Sequence, residues 1–76
     1  MAGVDKLVEK MKRQPNNIKF SEAEKVLRAY GYELTRIKGS HHIFKNKISG
    51  DRWPLPFQKP LKPYLIKQLL KRIEEE

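Results

Sequence analysis

The chain has two histidines, adjacent at His41 and His42, directly after Gly39-Ser40. Successive side chains of a strand point to opposite faces, so one imidazole can look outward while the other leans inward with Phe44. The two are therefore not expected to work on one substrate as an acid and base pair. Zinc would need more ligands than the chain can gather, so no metal site is expected. A single exposed imidazole can still give or take a proton near neutral pH. Cleavage of an RNA phosphodiester needs such a group near the 2′-hydroxyl or the leaving oxygen, with cations to offset the charge of the phosphorane. His41 with Lys38, Lys45, Arg36 or Arg52 could supply that set. On residue types alone, a lone histidine in a hairpin is more often a surface residue without a role. The chain has no glycine-rich phosphate loop, no carboxylate cluster for Mg²⁺ and no credible Ser/His/Asp set. Any enzyme here would thus be independent of metal and of a small-molecule cofactor.

Charge points the same way. Seventeen Lys and Arg face nine Asp and Glu, for a net +8, which suits a polyanionic partner. The excess is C-terminal: residues 36–52 carry +4, residues 53–73 carry +5, and the tail Glu74, Glu75 and Glu76 takes back 3. Between Arg36 and Arg72 there are ten basic residues and the single acid Asp51. A charge run by itself is usually a solvated face. Trp53, Tyr30, Tyr32 and Phe57 could stack on bases, although a core this small needs its aromatics, and Trp53, Leu55 and Phe57 share a face.

These residues need a frame. Val4, Leu7, Val8 and Met11 form one helical stripe that ends before Pro15. A turn at Pro15-Asn16-Asn17 leads to a second helix over about residues 22–30, with Ser21 and Glu24 as a capping box and Gly31 as the C-cap. Residues 32–38 and 41–45 read as strands joined by the Gly39-Ser40 hairpin turn. Asn46 to Gly50 is a second turn. Residues 52–57 read as an edge strand, because Pro54 and Pro56 cannot donate to a ladder. From Pro63 a last helix aligns Leu65, Ile66, Leu69, Leu70 and Ile73, and its glutamate tail, set against the helix dipole, is expected to fray. The order α-α-β-β-β-α makes an α+β domain: a three-stranded antiparallel sheet with helices on one face and the other face open.

At 76 residues the chain is one domain, and without cysteine it has no disulfides or thiolate metal sites. Its apolar runs are far shorter than the ~20 residues a membrane helix needs, and its start shows no signal peptide. A cytoplasmic protein with no membrane partner is expected.

The stretch from Glu22 to Phe44, EAEKVLRAYGYELTRIKGSHHIF, resembles the HicA toxins of toxin–antitoxin systems. In that family a helix and a Gly-aromatic turn lead into a strand and a G-S-H-x-x-[FY] signature. Leu55-Pro56, Leu61-Lys62-Pro63 and the helix to Ile73 are similar to its closing segment. The likeness covers residues 17–74, leaving residues 1–14 as an extra N-terminal helix. The resemblance implies a fold like the double-stranded-RNA-binding domain and a metal-independent endoribonuclease, an mRNA interferase blocked by a HicB-like antitoxin. It implies His41, directly after Gly-Ser, as the catalytic histidine. The single-stranded mRNA backbone is then expected to be held by Arg36, Lys38, Ser40, Lys45, Lys47, Arg52, Lys59 and Lys62. Many members carry a second histidine after a Val-Pro-Val-like stretch, where this chain continues Leu55-Pro56-Phe57 to Gln58. That departure motivates an alternative: a non-catalytic RNA-binding module, or an inactive homologue that mainly binds an antitoxin.

Overall fold

A computed structural model describes residues 2–74. The elements run α1 (Ala2–Arg13), α2 (Phe20–Ala29), β1 (Tyr32–Lys38), β2 (His41–Asn46), β3 (Arg52–Pro56) and α3 (Pro63–Glu74), the order expected from the periodicity. The strands form one antiparallel sheet in the order β1-β2-β3. This leaves β3 at an edge, where Pro54 and Pro56 sacrifice no ladder bond.

Each helix gives the same core one apolar stripe. Val4 and Met11 of α1, Ala23, Val26 and Leu27 of α2, and Leu65, Ile66, Leu69 and Ile73 of α3 are buried against Tyr32, Phe44, Trp53 and Leu55 of the sheet. Phe44, on the central strand, is fully buried. All three helices cover one side of the sheet, while Glu33, Lys45 and Arg52 on the other side are exposed.

Two local expectations change. Helix α2 begins at Phe20, with Lys19 as its N-cap, rather than at Glu22 behind a Ser21/Glu24 capping box. The Glu22 carboxylate reaches back and accepts the Lys19 N–H at 2.9 Å. Glu22 is better placed than Glu24 because it also receives Lys10 of α1 at 2.9 Å. Burial disfavours its charge, but the Lys19 N–H and the Lys10 ammonium outweigh that and hold its carboxyl below the ordinary value. Glu24 pairs instead with Arg28, one turn on. At the other end of the chain, Glu74 remains helical and pairs with Lys12 of α1. The expected fraying of Glu75 and Glu76 lies outside the described residues.

Strand β1 also contains a bulge. Leu34 pairs with Phe44, but Arg36, not Thr35, pairs with Ile43, so Thr35 is the extra residue. Its hydroxyl donates to the Ile43 carbonyl at 3.1 Å. Two fixed points make it necessary. Toward its N-terminal end, β1 must bury Tyr32 and turn Leu34 inward opposite Phe44. Toward its C-terminal end, the two-residue Gly39-Ser40 turn sets Lys38 opposite His41. Gly39 has φ +60° and Ser40 is not left-handed, as in a type II′ turn. Strict alternation cannot satisfy both registers, and one inserted residue reverses the facing of everything beyond it.

A polar clamp joins α3 to the sheet. The Tyr32 hydroxyl donates to Asp51 Oδ2 at 2.6 Å, Arg72 donates to the same oxygen, and the Arg72 guanidinium lies 5.0 Å from the Trp53 ring centroid. The Tyr32 hydrogen bond leads in holding the Asp51 carboxyl below its ordinary range; burial opposes it, and the hydrogen bond and charge of Arg72 add to the lowering. Burial, and then the hydrogen bond to Asp51, push the Tyr32 phenol up.

Candidate active site and nucleic-acid interface

The side chains on the uncovered face follow from the register. Residues directly opposite in an antiparallel ladder share a face. His41 is opposite Lys38 on one side and Pro56 on the other; Ile43 is opposite Arg36 and Pro54; Lys45 is opposite Glu33 and Arg52. His41, Arg36, Lys38, Lys45 and Arg52 therefore occupy one exposed face. Lys38 is the direct neighbour of His41, with about 5 Å expected between their Cβ atoms, and Arg36 is the diagonal one at about 7–8 Å. The bulge brings both to this side. With unbroken alternation from Leu34, Arg36 would have turned toward the helices and Ile37 toward His41.

The electrostatics of this face are set by where the carboxylates go. Glu22, Glu24, Glu33, Asp51 and Glu74 pair with Lys10, Arg28, Lys47, Arg72 and Lys12 respectively. Among the described residues, none of Arg36, Lys38, Lys45 and Arg52 has a carboxylate partner. Four unpaired cations and one imidazole on an open sheet face suit a phosphodiester backbone.

The other expected contacts lie elsewhere. Ser40 is in the hairpin turn, and its carbonyl accepts the Phe57 N–H at 2.8 Å. Lys47 follows the far end of β2, with its ammonium 3.2 Å from Glu33. Lys59 lies in the β3–α3 connection, 5.6 Å from the Phe57 ring centroid, and Lys62 just precedes α3. No three metal-ligating side chains come together among the described residues.

His42 points the opposite way from His41. Its ring lies 4.7 Å from that of Phe20 and 5.5 Å from that of Phe57, stacked on the latter at 30°. This is the inward facing expected from alternation, although the ring is only partly buried. Together they line a groove of about 780 Å³ between the start of α2, the hairpin and the β3–α3 connection. Backbone pairing of Ile18 with Leu61 ties the two connections together beside it. Phe57 is 42% exposed there and Ile37, opposite His42, is 57% exposed, whereas Trp53 and Leu55 are core residues. Residue types did not disclose this groove. The signal available was an apolar surplus at Ile37 and Phe57 beyond what the core requires.

Among the described residues, no helix is long and apolar enough to cross a membrane. Residues 20–74 match the family model of the HicA toxin of bacterial toxin–antitoxin systems, more than half of the chain, including the exposed sheet face around His41. Helix α1 lies outside the matched residues. No curated protein and no solved structure matches the chain.

Proposed function

Since the chain belongs to the HicA toxin family, whose members act on RNA and are restrained by an antitoxin, we propose that it is a metal-independent endoribonuclease with His41 as its catalytic residue. The observation that carries this reading is the shared face: His41 has Lys38 directly opposite and Arg36 diagonal, both without carboxylate partners.

In the proposed reaction the RNA 2′-oxygen attacks the adjacent phosphorus. Its proton passes to the His41 imidazole, which acts as base. The bond to the next nucleotide's 5′-oxygen breaks, and that oxygen takes a proton from water. The products are a 2′,3′-cyclic phosphate and a 5′-hydroxyl, and the imidazolium returns its proton to solvent. Lys38 and Arg36 offset the extra negative charge of the phosphorane. Lys45 and Arg52 continue the cationic track along the sheet, with Ser40, Lys47, Lys59 and Lys62 as further backbone contacts. A HicB-like antitoxin would inhibit by covering this same basic face with acidic side chains.

Gln58 favours a second reading. An amide does not transfer protons as an imidazole does, and the Gln58 Oε1 accepts the Lys62 N–H at 3.4 Å within its own loop. A non-catalytic RNA-binding module that chiefly engages an antitoxin would carry the same surface. Incubating a long single-stranded transcript in EDTA with the wild type and with His41→Ala separates the two. Cleavage by the wild type alone supports the nuclease, equal cleavage by both overturns the role of His41, and salt-sensitive binding without cleavage by the wild type supports the binding module.

A further inference from the structure

On the other side of β2 from His41, the groove walled by Phe20, His42 and Phe57 has no part in the proposed proton transfer. We propose that it seats one unpaired nucleobase of the RNA strand whose phosphate lies at His41, which makes it the determinant of base preference. This rests on the reading of the chain as an RNA-binding nuclease.

The chemistry of the walls fits a flat heteroaromatic ring. Two phenyl rings and an imidazole within 4.7 and 5.5 Å of one another give π faces on which a base can stack. The volume of about 780 Å³ is that of a small-molecule site. His42 Nδ1 is buried without a hydrogen-bond partner, so Nε2 is the polar edge left for the ring to offer a base. The rim suits the phosphates on either side of that base: Lys19 and Lys59 both border the groove, and its one carboxylate, Glu24, is occupied by Arg28.

The groove is also tied to the phosphate site through the hairpin. His41 and His42 are consecutive, and the Phe57 N–H donates to the Ser40 carbonyl at 2.8 Å, which fixes the aromatic wall to the turn that presents His41. A strand bound at His41 and bent around the end of the hairpin would carry its next base past Phe57.

The test uses full-length protein and 2′-O-methyl RNA octamers, which cannot be cleaved through the 2′-oxygen, with one position made abasic in turn. Removing one base is expected to weaken binding by the wild type about tenfold at one position of the strand. Phe57→Trp should retain that effect and Phe57→Ala should abolish it, while both keep the salt-dependent affinity for the backbone. Phe57 is half-exposed, so neither variant should unfold, and a thermal melt checks this. Equal affinity of the wild type for intact and abasic strands, or a base effect that survives in Phe57→Ala, overturns the proposal. If Phe57→Ala keeps the base effect but loses affinity for the antitoxin, the groove is a protein dock and the proposal is likewise overturned. No binding of the intact strand at any salt concentration overturns the nuclease reading itself.

Discussion

Lys38 stands directly across the β1–β2 ladder from His41, on the face of the sheet that no helix covers. The type II′ turn between them contains only Gly39 and Ser40, so the backbone holds the pair with little freedom to separate. An ammonium fixed beside an imidazole is a way to bring a cation to the phosphate on which that imidazole acts.

Lys38→Ala should therefore slow cleavage more than it weakens binding. A preorganised charge-stabilising donor is worth about 10²–10³ in rate; for a lysine on an open face we expect about the lower end. Single-turnover rates at saturating protein, set beside the affinity for uncleavable RNA, provide the check. A loss confined to affinity would make Lys38 a backbone contact only.

The cations further along the sheet should act differently. Arg36→Ala, Lys45→Ala and Arg52→Ala should each lower the dependence of log K on log salt by about 0.7, the increment for one phosphate of a single strand, and of the three only Arg36→Ala should also slow cleavage. Lys47→Ala should change it less, because Lys47 is held by Glu33. Titrations across a salt series measure all four slopes. A Lys47 slope change equal to the others would extend the RNA track to the far end of the hairpin.

Asp51 is the one acid within the basic half, and its acceptor oxygen serves Tyr32 and Arg72. Its carboxyl titrates below the ordinary value when folded. The stabilisation is thus fully present above the unfolded value near ~3.9 and is lost as pH falls through the lower folded value. Asp51→Ala should cost about 1 kcal/mol at pH 7, a modest figure because the side chain is partly solvated. The gap between the variant and the wild type should close toward pH 2. Urea melts at several pH values test this, and a gap that does not change with pH would show that the charge is irrelevant. Tyr32, raised when folded, works at the alkaline side: its contribution is present below about pH 10 and disappears as pH rises through the folded value.

The order of elements was legible from residues 1–74 because each helix carries an unbroken apolar stripe and each turn a residue that demands it. Gly31 at φ +93° and Gly39 at φ +60° are where helix α2 and the hairpin had to break. The opposed facing of His41 and His42 was legible for the same reason, since they are neighbours just beyond a short turn. The cap of α2 was less so: Glu22 and Glu24 both suit a first turn, and Lys10 of α1, a tertiary partner, favours Glu22. The groove at Phe57 depends on where α2 stops covering the sheet, and no local pattern encodes that.

The bulge was not legible, because Tyr32 to Lys38 reads as plain strand and the conflict arises only when the core register and the turn register meet. It makes the strongest structural prediction. Deleting Thr35 removes the extra residue, so Leu34 opposite Phe44 is followed directly by Arg36 opposite Ile43, and unbroken alternation then satisfies the core register and the turn register together. The deletion variant should keep Tyr32 and Leu34 on the core side, Arg36 and Lys38 beside His41, and hence the wild-type salt slope, with stability within about 1 kcal/mol of the wild type. Thr35→Ala retains the extra residue, loses only the hydroxyl's bond to the Ile43 carbonyl, and should cost about 1 kcal/mol with RNA affinity unchanged. Urea melts and salt titrations of both variants check this. A deletion variant that loses about 3 kcal/mol or more, or the wild-type salt slope, would show that the bulge does more than absorb one surplus residue between two fixed registers.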